Sequence, residues 1–337
     1  MSARHPLGDT QKMVKSVLSD LIAINCKPTV GNWAAPPPSQ AISDPVRRFL
    51  SSSLSAGTQR AYAADLAHFR ASGRDIPCSP QSIADYLASL AETHAVATIQ
   101  RRVAAIAKAH RASGFDDPCR SEIVRATMQG IRRTKGTAQR EARALQRDDL
   151  FAVLERMGDR PIDLRDKALL LIGFAGAFRR SELVGFDCGD VEHVGRGIVL
   201  HLRRSKTDQT GQGRKIAIPH GRTRWCPVRH LTDWLAHAGI EEGPIFRSID
   251  RHGHISPDRL SGDAVAMIVK RRLETAGFDP AAFSGHSLRA GLATSAAMAG
   301  ASTYKIRAQT GHKSDAMLAR YIRDGDMFTD NAAGVIL

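Results

Sequence analysis

Between residues 44 and 130 apolar side chains recur three and four positions apart. The segments TQRAYAADLAHF, PQSIADYLASLAE and VATIQRRVAAIAKAH each gather them on one face, which predicts helices packed through that face. The tripeptide Ala-Ser-Gly closes a segment at 71–73 and again at 112–114, as a glycine just past a helix does. This stretch reads as a small, all-helical domain. In its third segment Ile99, Val103, Ile106 and Ala107 form the core side, and Arg101, Arg102, Lys108 and Arg111 are expected on a basic stripe opposite, able to lie along phosphates.

Residues 131–145 break the pattern. They are charged, poor in large apolar side chains, and predict a solvated basic linker carrying Arg132, Arg133 and Lys135. Beyond them the period changes. An apolar run over 164–178 predicts a buried helix, 179–184 a short helix, and the alternating GIVLHLRR and RKIAIPH two strands around the turn-rich TDQTGQG. Helical spacing then returns in WCPVRHLTDWLAHAG, DAVAMIVKRRLETAG, HSLRAGLATSAAMAG and DAMLARYIRDG. The second domain, 146–337, is therefore expected to be mainly α with a small antiparallel β-sheet. Residues 1–43 end in AAPPPSQ, whose prolines favour extended chain, and read as a flexible N-terminal arm.

Composition adds a partner to this outline. A chain of 337 residues suits two domains, and its formal net charge of +14 calls for a polyanion. Nucleic acid fits better than a membrane surface, because the longest apolar stretch, 168–178, is too short to span a bilayer and is closed by Arg179. The opening MSARHPLGDTQKMV lacks the apolar region of a signal peptide, so a cytoplasmic location is expected. Cys26, Cys78, Cys119, Cys188 and Cys226 lie far apart, which suggests reduced thiols and gives no local support for a metal site.

Candidate chemistry is confined to the second domain. In SGHSLRAG, His286 and Arg289 stand three apart near the start of a helical pattern, where free N–H groups favour an anion. Arg179 and Glu182 in FRRSELVGF are one turn apart, a spacing that ordinary surface ion pairs share and that then contributes little. Lys206 sits at the tip of the predicted hairpin, where a lysine is ordinarily just solvated. His312 precedes the segment in which Tyr321 lies among Met317, Leu318 and Ile322, where a tyrosine ordinarily packs. Taken singly, each has a bland explanation. Their order within one domain of a basic protein is what carries information.

On these residues the chain resembles the tyrosine site-specific recombinase, or phage integrase, family over about residues 45–337, in its Cre-like form. R-x-S-E-L from Arg179 is similar to the family's first arginine box, S-G-H-S-x-R over 284–289 to the second, and G-H with Tyr321 nine residues after His312 to the nucleophile segment. S-K-T around Lys206 is similar to the hairpin lysine motif. The resemblance implies a two-domain DNA clamp, with a helical core-binding (SAM-like) domain and a catalytic tyrosine recombinase domain ending in a tail.

The implied enzyme breaks and rejoins DNA by transesterification through a 3′-phosphotyrosyl intermediate, without metal, ATP or other cofactor. Tyr321 is then the nucleophile, while Arg179, Arg289, His286 and His312 hold phosphate charge. His286 also takes the tyrosine proton, Lys206 protonates the leaving 5′-oxygen and Glu182 orients a neighbour. Implied partners are double-stranded DNA with an inverted-repeat site, a homo-tetramer in the synaptic complex and accessory proteins, in the bacterial or phage, nucleoid-associated setting of a mobile element. The tail MFTDNAAGVIL is expected to dock on a neighbouring subunit or to pack on its own domain. Where Cre-like members carry a base-reading arginine and glutamate this chain has Asp263 and Ala266, so a different DNA site is expected. Two further readings fit the same residues: a type IB topoisomerase-like DNA-relaxing enzyme, and a catalytically silent DNA-binding protein of the same fold.

Overall fold

The computed structural model describes residues 48–49, 53–137, 142–203, 213–312, 314, 318–319 and 321. The chain divides into two compact units, Met1–Gln139 and Arg140–Leu337. The expected arm 1–43, the loop with Lys206 and the tail after Tyr321 lie outside the described residues.

The first unit is helical, as expected: α1 (Ala56–Ala71), α2 (Pro80–Ala91), α3 (Val96–Ala112) and α4 (Glu122–Lys135). Serine caps open two of these helices. The Ser55 and Ser79 hydroxyls accept from the backbone N–H groups of Thr58 and Ser82 at 3.2 Å, and Pro80 fills the first helical position of α2. Leu66, Phe69, Ile83, Tyr86, Leu87, Ile99, Ile106, Val124, Met128 and Ile131 form its core.

The segment read as linker is partly structured at both ends. Residues 131–135 complete α4, and Ile131 is buried there. On the other side the Leu145 side chain belongs to the core of the second unit. Its backbone N–H donates to the Ser287 carbonyl at 2.9 Å, and that of Arg143 to Ala282 at 2.8 Å. The approach is so close that a Cβ on Gly291 would stand 1.8 Å from the Leu145 carbonyl oxygen. A charge-rich composition hid one apolar anchor at each end.

The second unit is mainly α with small antiparallel sheets. Its helices are α5 (Arg147–Glu155), α6 (Pro161–Ala175), α7 (Arg180–Leu183), α8 (Pro227–His237), α9 (Gly262–Thr275), α10 (Ser287–Met298) and α11 (Thr303–Thr310). Strands β1 (Val191–Val194), β2 (Gly197–Leu202) and β3 (Arg214–Pro219) form one sheet, and β4 (Arg247–Ile249) pairs with β5 (Ile255–Arg259). In the β2–β3 hairpin Ile198 faces Ile218, Leu200 faces Ile216 and Leu202 faces Arg214, so the alternating apolar residues turn to the core together. Among the described residues no helix is long and apolar enough to cross a membrane.

Helix α6 is the axis of this unit. Ala168, Leu169, Leu170, Leu171 and Ile172 are all buried, as befits a helix that is apolar all round. Its N-terminal half instead carries a buried charge network. Asp166 accepts from Arg165 (2.6 Å), Arg272 (2.7 Å) and Arg271 (3.0 Å), and Asp163 pairs with Arg272 (2.8 Å) and Arg160 (3.0 Å). Burial pushes the Asp163 carboxyl upward, but the bonds and charges of Arg160 and Arg272 outweigh it and hold the group below its ordinary 3.8.

A carboxylate depressed on folding adds stability that is complete well above its unfolded pKa and is lost as pH falls through the folded one. The stability advantage of wild type over Asp163→Asn is therefore expected to shrink as pH falls through and below the ordinary carboxylate range. Urea unfolding at a series of pH values measures it, and an advantage independent of pH contradicts the ion-pair account.

Candidate active site

The site forms where α6 ends and α10 begins. After Gly176 the chain passes through Ala177, a buried residue at φ 49°, which swings the backbone out of the helix and into α7. Two consequences follow from that bend. Arg179 becomes the cap of α7, and the Ala177 carbonyl faces α10, where it accepts from Nη1 of Arg289 at 2.8 Å.

Glu182 closes on Arg179 from within α7. One carboxylate oxygen accepts the Arg179 backbone N–H at 2.9 Å and the other accepts from Nη1 at 2.6 Å. The glutamate is buried and the arginine mostly so, which makes this a fixed strut instead of a surface pair. The resemblance implied an orienting part for Glu182, and the residue it bonds is Arg179.

Arg289 is 5% exposed, and its Nη2 is buried with no hydrogen-bond partner among the described residues. Burial lowers its pKa to about 10, with Arg179 and Arg214 acting in the same direction and Glu182 and Tyr321 against them. It stays cationic at neutral pH. A guanidinium stripped of water and left one donor short is poised for an anion.

His312 is buried behind it. The Thr310 hydroxyl lies 2.7 Å from Nδ1, which fixes the ring and leaves Nε2 for the site. Burial, then the charges of Arg289, Arg179 and Arg214, push its pKa down to about 4. The ring of Tyr321 lies 5.7 Å from that of His312, tilted by 36°. His286 is exposed at the cap position of α10, one turn before Arg289, and its backbone N–H donates to the Ser284 hydroxyl at 3.1 Å. Lys206 lies outside the described residues.

The low pKa gives a direct check. In an NMR titration of the free protein, His312 is expected to stay neutral at pH 7 and to titrate near pH 4. Adding an oxyanion such as vanadate should move that midpoint upward, because a bound anion offsets the surrounding cations. An ordinary midpoint near 6.5, unmoved by vanadate, contradicts the cationic pocket.

The structure brings Arg179, Glu182, Arg289, His312 and Tyr321 into one electrostatic neighbourhood, with His286 on the helix that bears Arg289. It also adds a residue that sequence reasoning missed. Arg214, at the start of β3, donates to the Ala308 and Gln309 carbonyls at 2.9 Å and acts electrostatically on Arg289 and His312. In the sequence it is the first residue after a polar turn, and only the fold shows what it reaches.

The expected basic stripe of the first unit is altered. Arg102 is buried: its Nη1 lies 3.1 Å from His68 Nδ1 and donates to the Tyr86 hydroxyl at 3.3 Å. Lying three residues after Ile99 and four before Ile106, it falls on the core face of α3. Arg101 is clamped on buried Asp65 by bonds of 2.8 and 2.9 Å. Arg111 pairs with Asp117, and Lys135 donates to the Ala91 carbonyl. Arg132 lies against the Gln100 side-chain amide, whose oxygen, when turned toward it, accepts from Nε at 2.9 Å and Nη2 at 2.8 Å. Lys108 and Arg133 are exposed.

Comparison with known proteins agrees with the fold. Residues 143–326 match the model of the phage integrase family, and the chain belongs to that family. It is 45% identical over 211 residues to an integrase/recombinase xerD homolog of Selenomonas ruminantium, an alignment that covers 62% of each chain. Recombinase cre of Escherichia phage P1 is 28% identical over 210 residues, covering 58% of this chain and 60% of that one. The chain thus spans about three-fifths of the length of these curated relatives.

Among solved structures, a lambda integrase (75–356) dimer bound to a COC′ core site aligns with a TM-score of 0.58 at 21% identity, over 82% of this chain and 92% of that one. XerH site-specific recombinase bound to palindromic difH substrate aligns with a TM-score of 0.61 at 16% identity, over 82% and 79%. These likenesses establish a shared fold.

Proposed function

We propose that this protein is a site-specific DNA recombinase that cleaves and rejoins strands through Tyr321. The observation that carries the reading is the Nη2 of buried Arg289, which has no partner among the described residues and is set in one field with Arg179, His312 and Tyr321. A phosphodiester is the anion that makes sense of a tyrosine there. Arg289 and Arg179 hold its non-bridging oxygens, and the His312 imidazole adds a donor to the same group.

The Tyr321 oxygen attacks phosphorus and its proton passes to His286. The bond from phosphorus to the 5′-oxygen breaks, and that oxygen takes a proton from Lys206. The products are a 3′-phosphotyrosyl link and a free 5′-hydroxyl. One phosphoester replaces another, so rejoining needs no external energy source: a 5′-hydroxyl from either strand reverses the attack. Arg179 is kept in place by Glu182, which acts on the arginine and does not touch DNA.

DNA bearing inverted half-sites and an assembly of several protomers complete the proposal. A lambda integrase tetramer bound to a Holliday junction shares the fold. Arg101, Lys108, Arg111, Arg132, Arg133 and Lys135 are exposed and are the candidates in the first unit for phosphate contact. A DNA-relaxing enzyme acting as a monomer is the competing reading of the same chemistry. The test is a nicked suicide DNA carrying the native site, which is expected to trap a covalent complex with wild type and none with Tyr321→Phe. Equal trapping by both proteins sinks the assignment of the nucleophile. Plasmid relaxation without junction formation between two sites favours the relaxing enzyme instead.

A further inference from the structure

Arg214 opens β3 opposite Leu202, so it is the first paired residue after the loop that carries Lys206. Its Nη1 leaves the sheet and donates to the carbonyls of Ala308 and Gln309, both at 2.9 Å. These belong to the last turn of α11, where carbonyls lack partners within the helix and a cation is favoured. Gly311 follows in the left-handed conformation at φ 67°. A Cβ there would stand 2.7 Å from Nη1 and 2.8 Å from Cζ of Arg214, so the guanidinium occupies the space that a side chain would fill.

Neighbouring residues reinforce the same joint. The Gln309 side-chain amide donates to the Ala175 carbonyl at the end of α6 (2.8 Å) and to the Ala217 carbonyl in β3 (3.2 Å). The Thr310 hydroxyl meets His312. The end of α11, the hairpin base and the end of α6 are therefore bound together immediately before His312.

We infer that Arg214 is a positioning residue of the site, one that fastens the start of β3 to the end of α11 and so sets the position of His312, which follows directly. Its consequence for strand cleavage rests on the recombinase reading above. A solvated turn arginine would not serve this way. Arg214 is half-buried, and burial, with Arg179 acting in the same sense and Glu182 against it, lowers its pKa from the ordinary arginine value.

The test separates position from charge. Cleavage of the nicked suicide DNA at saturating DNA, DNA affinity and thermal unfolding are measured for wild type, R214K, R214Q and G311A. R214K keeps the charge but loses the planar group that reaches two carbonyls; G311A keeps Arg214 and crowds it. All three variants are expected to lower the maximal cleavage rate by about 10- to 100-fold, the size of effect that a misplacement near 1 Å produces. DNA affinity is expected to change less than about threefold, since binding rests on many phosphate contacts.

The second readout is the His312 resonance in protein labelled at histidine, without DNA, which is expected to shift or split in R214K. Wild-type rates in R214K and G311A overturn the inference, whether or not R214Q is slow, because charge alone then suffices. If R214Q does not fold, R214K and G311A decide. If wild type itself forms no covalent complex, the recombinase reading fails, and the His312 resonance judges the positioning role: an unshifted resonance in R214K overturns it.

Discussion

Arg289→Lys is expected to slow DNA strand cleavage by roughly 10²- to 10³-fold, the usual loss when one preorganised donor to a charged transition state is removed. The guanidinium performs two jobs at once. Nη1 is held by the Ala177 carbonyl, and Nη2 is buried with no partner among the described residues. A lysine keeps the charge but places it on a single nitrogen, so it either stays on the carbonyl or turns to the phosphate. Affinity for DNA should fall by much less than the rate, because the many exposed cations of the chain are untouched. Single-turnover cleavage at saturating DNA reads the first quantity and a binding titration at fixed salt the second. A lysine variant that cleaves at the wild-type rate removes Arg289 from the transition state.

The largest expected loss of stability lies away from the site. Asp166→Asn should destabilise the second unit by about 3–5 kcal/mol, the range found when one member of a buried ion network is removed. The carboxylate is fully buried and accepts from Arg165, Arg271 and Arg272. Arg165 and Arg272 are themselves almost completely buried, so neutralising Asp166 takes the paired carboxylate from Arg165 and leaves Arg272 with Asp163 alone. Trp225 and Trp234 both lie in this unit, and their fluorescence reports its unfolding in urea. A loss below about 1 kcal/mol, typical of exposed pairs, shows that water reaches the network.

What could be read from the sequence was what is local. The helical periods of the first unit, the β2–β3 hairpin and the Arg179–Glu182 and His286–Arg289 spacings all lie within a few residues, where geometry follows directly from period. Arg102 went to the wrong face because a long side chain can bury a charge when Asp65, Tyr86 and His68 await it, and those partners come from two other helices. Arg214 was invisible for a related reason: its contacts lie more than ninety residues away, on carbonyls that carry no sequence signature. The sheet β4–β5 and helix α11 are short, and their strength comes from neighbours more than from their own composition.

Ala177 deserves a last consideration as a setting of precision. An L-residue held at positive φ costs about 1 kcal/mol, and glycine in its place forfeits a similar amount through the freedom of its unfolded chain. Stability is therefore nearly indifferent to the choice between them. Breadth of motion is not. The Cβ of alanine narrows the left-handed well to a few tens of degrees, whereas glycine roams a wide basin. Because the Ala177 carbonyl aims Arg289, that narrowness is passed on as angular tolerance at the phosphate, and a single methyl group limits how far the guanidinium wanders.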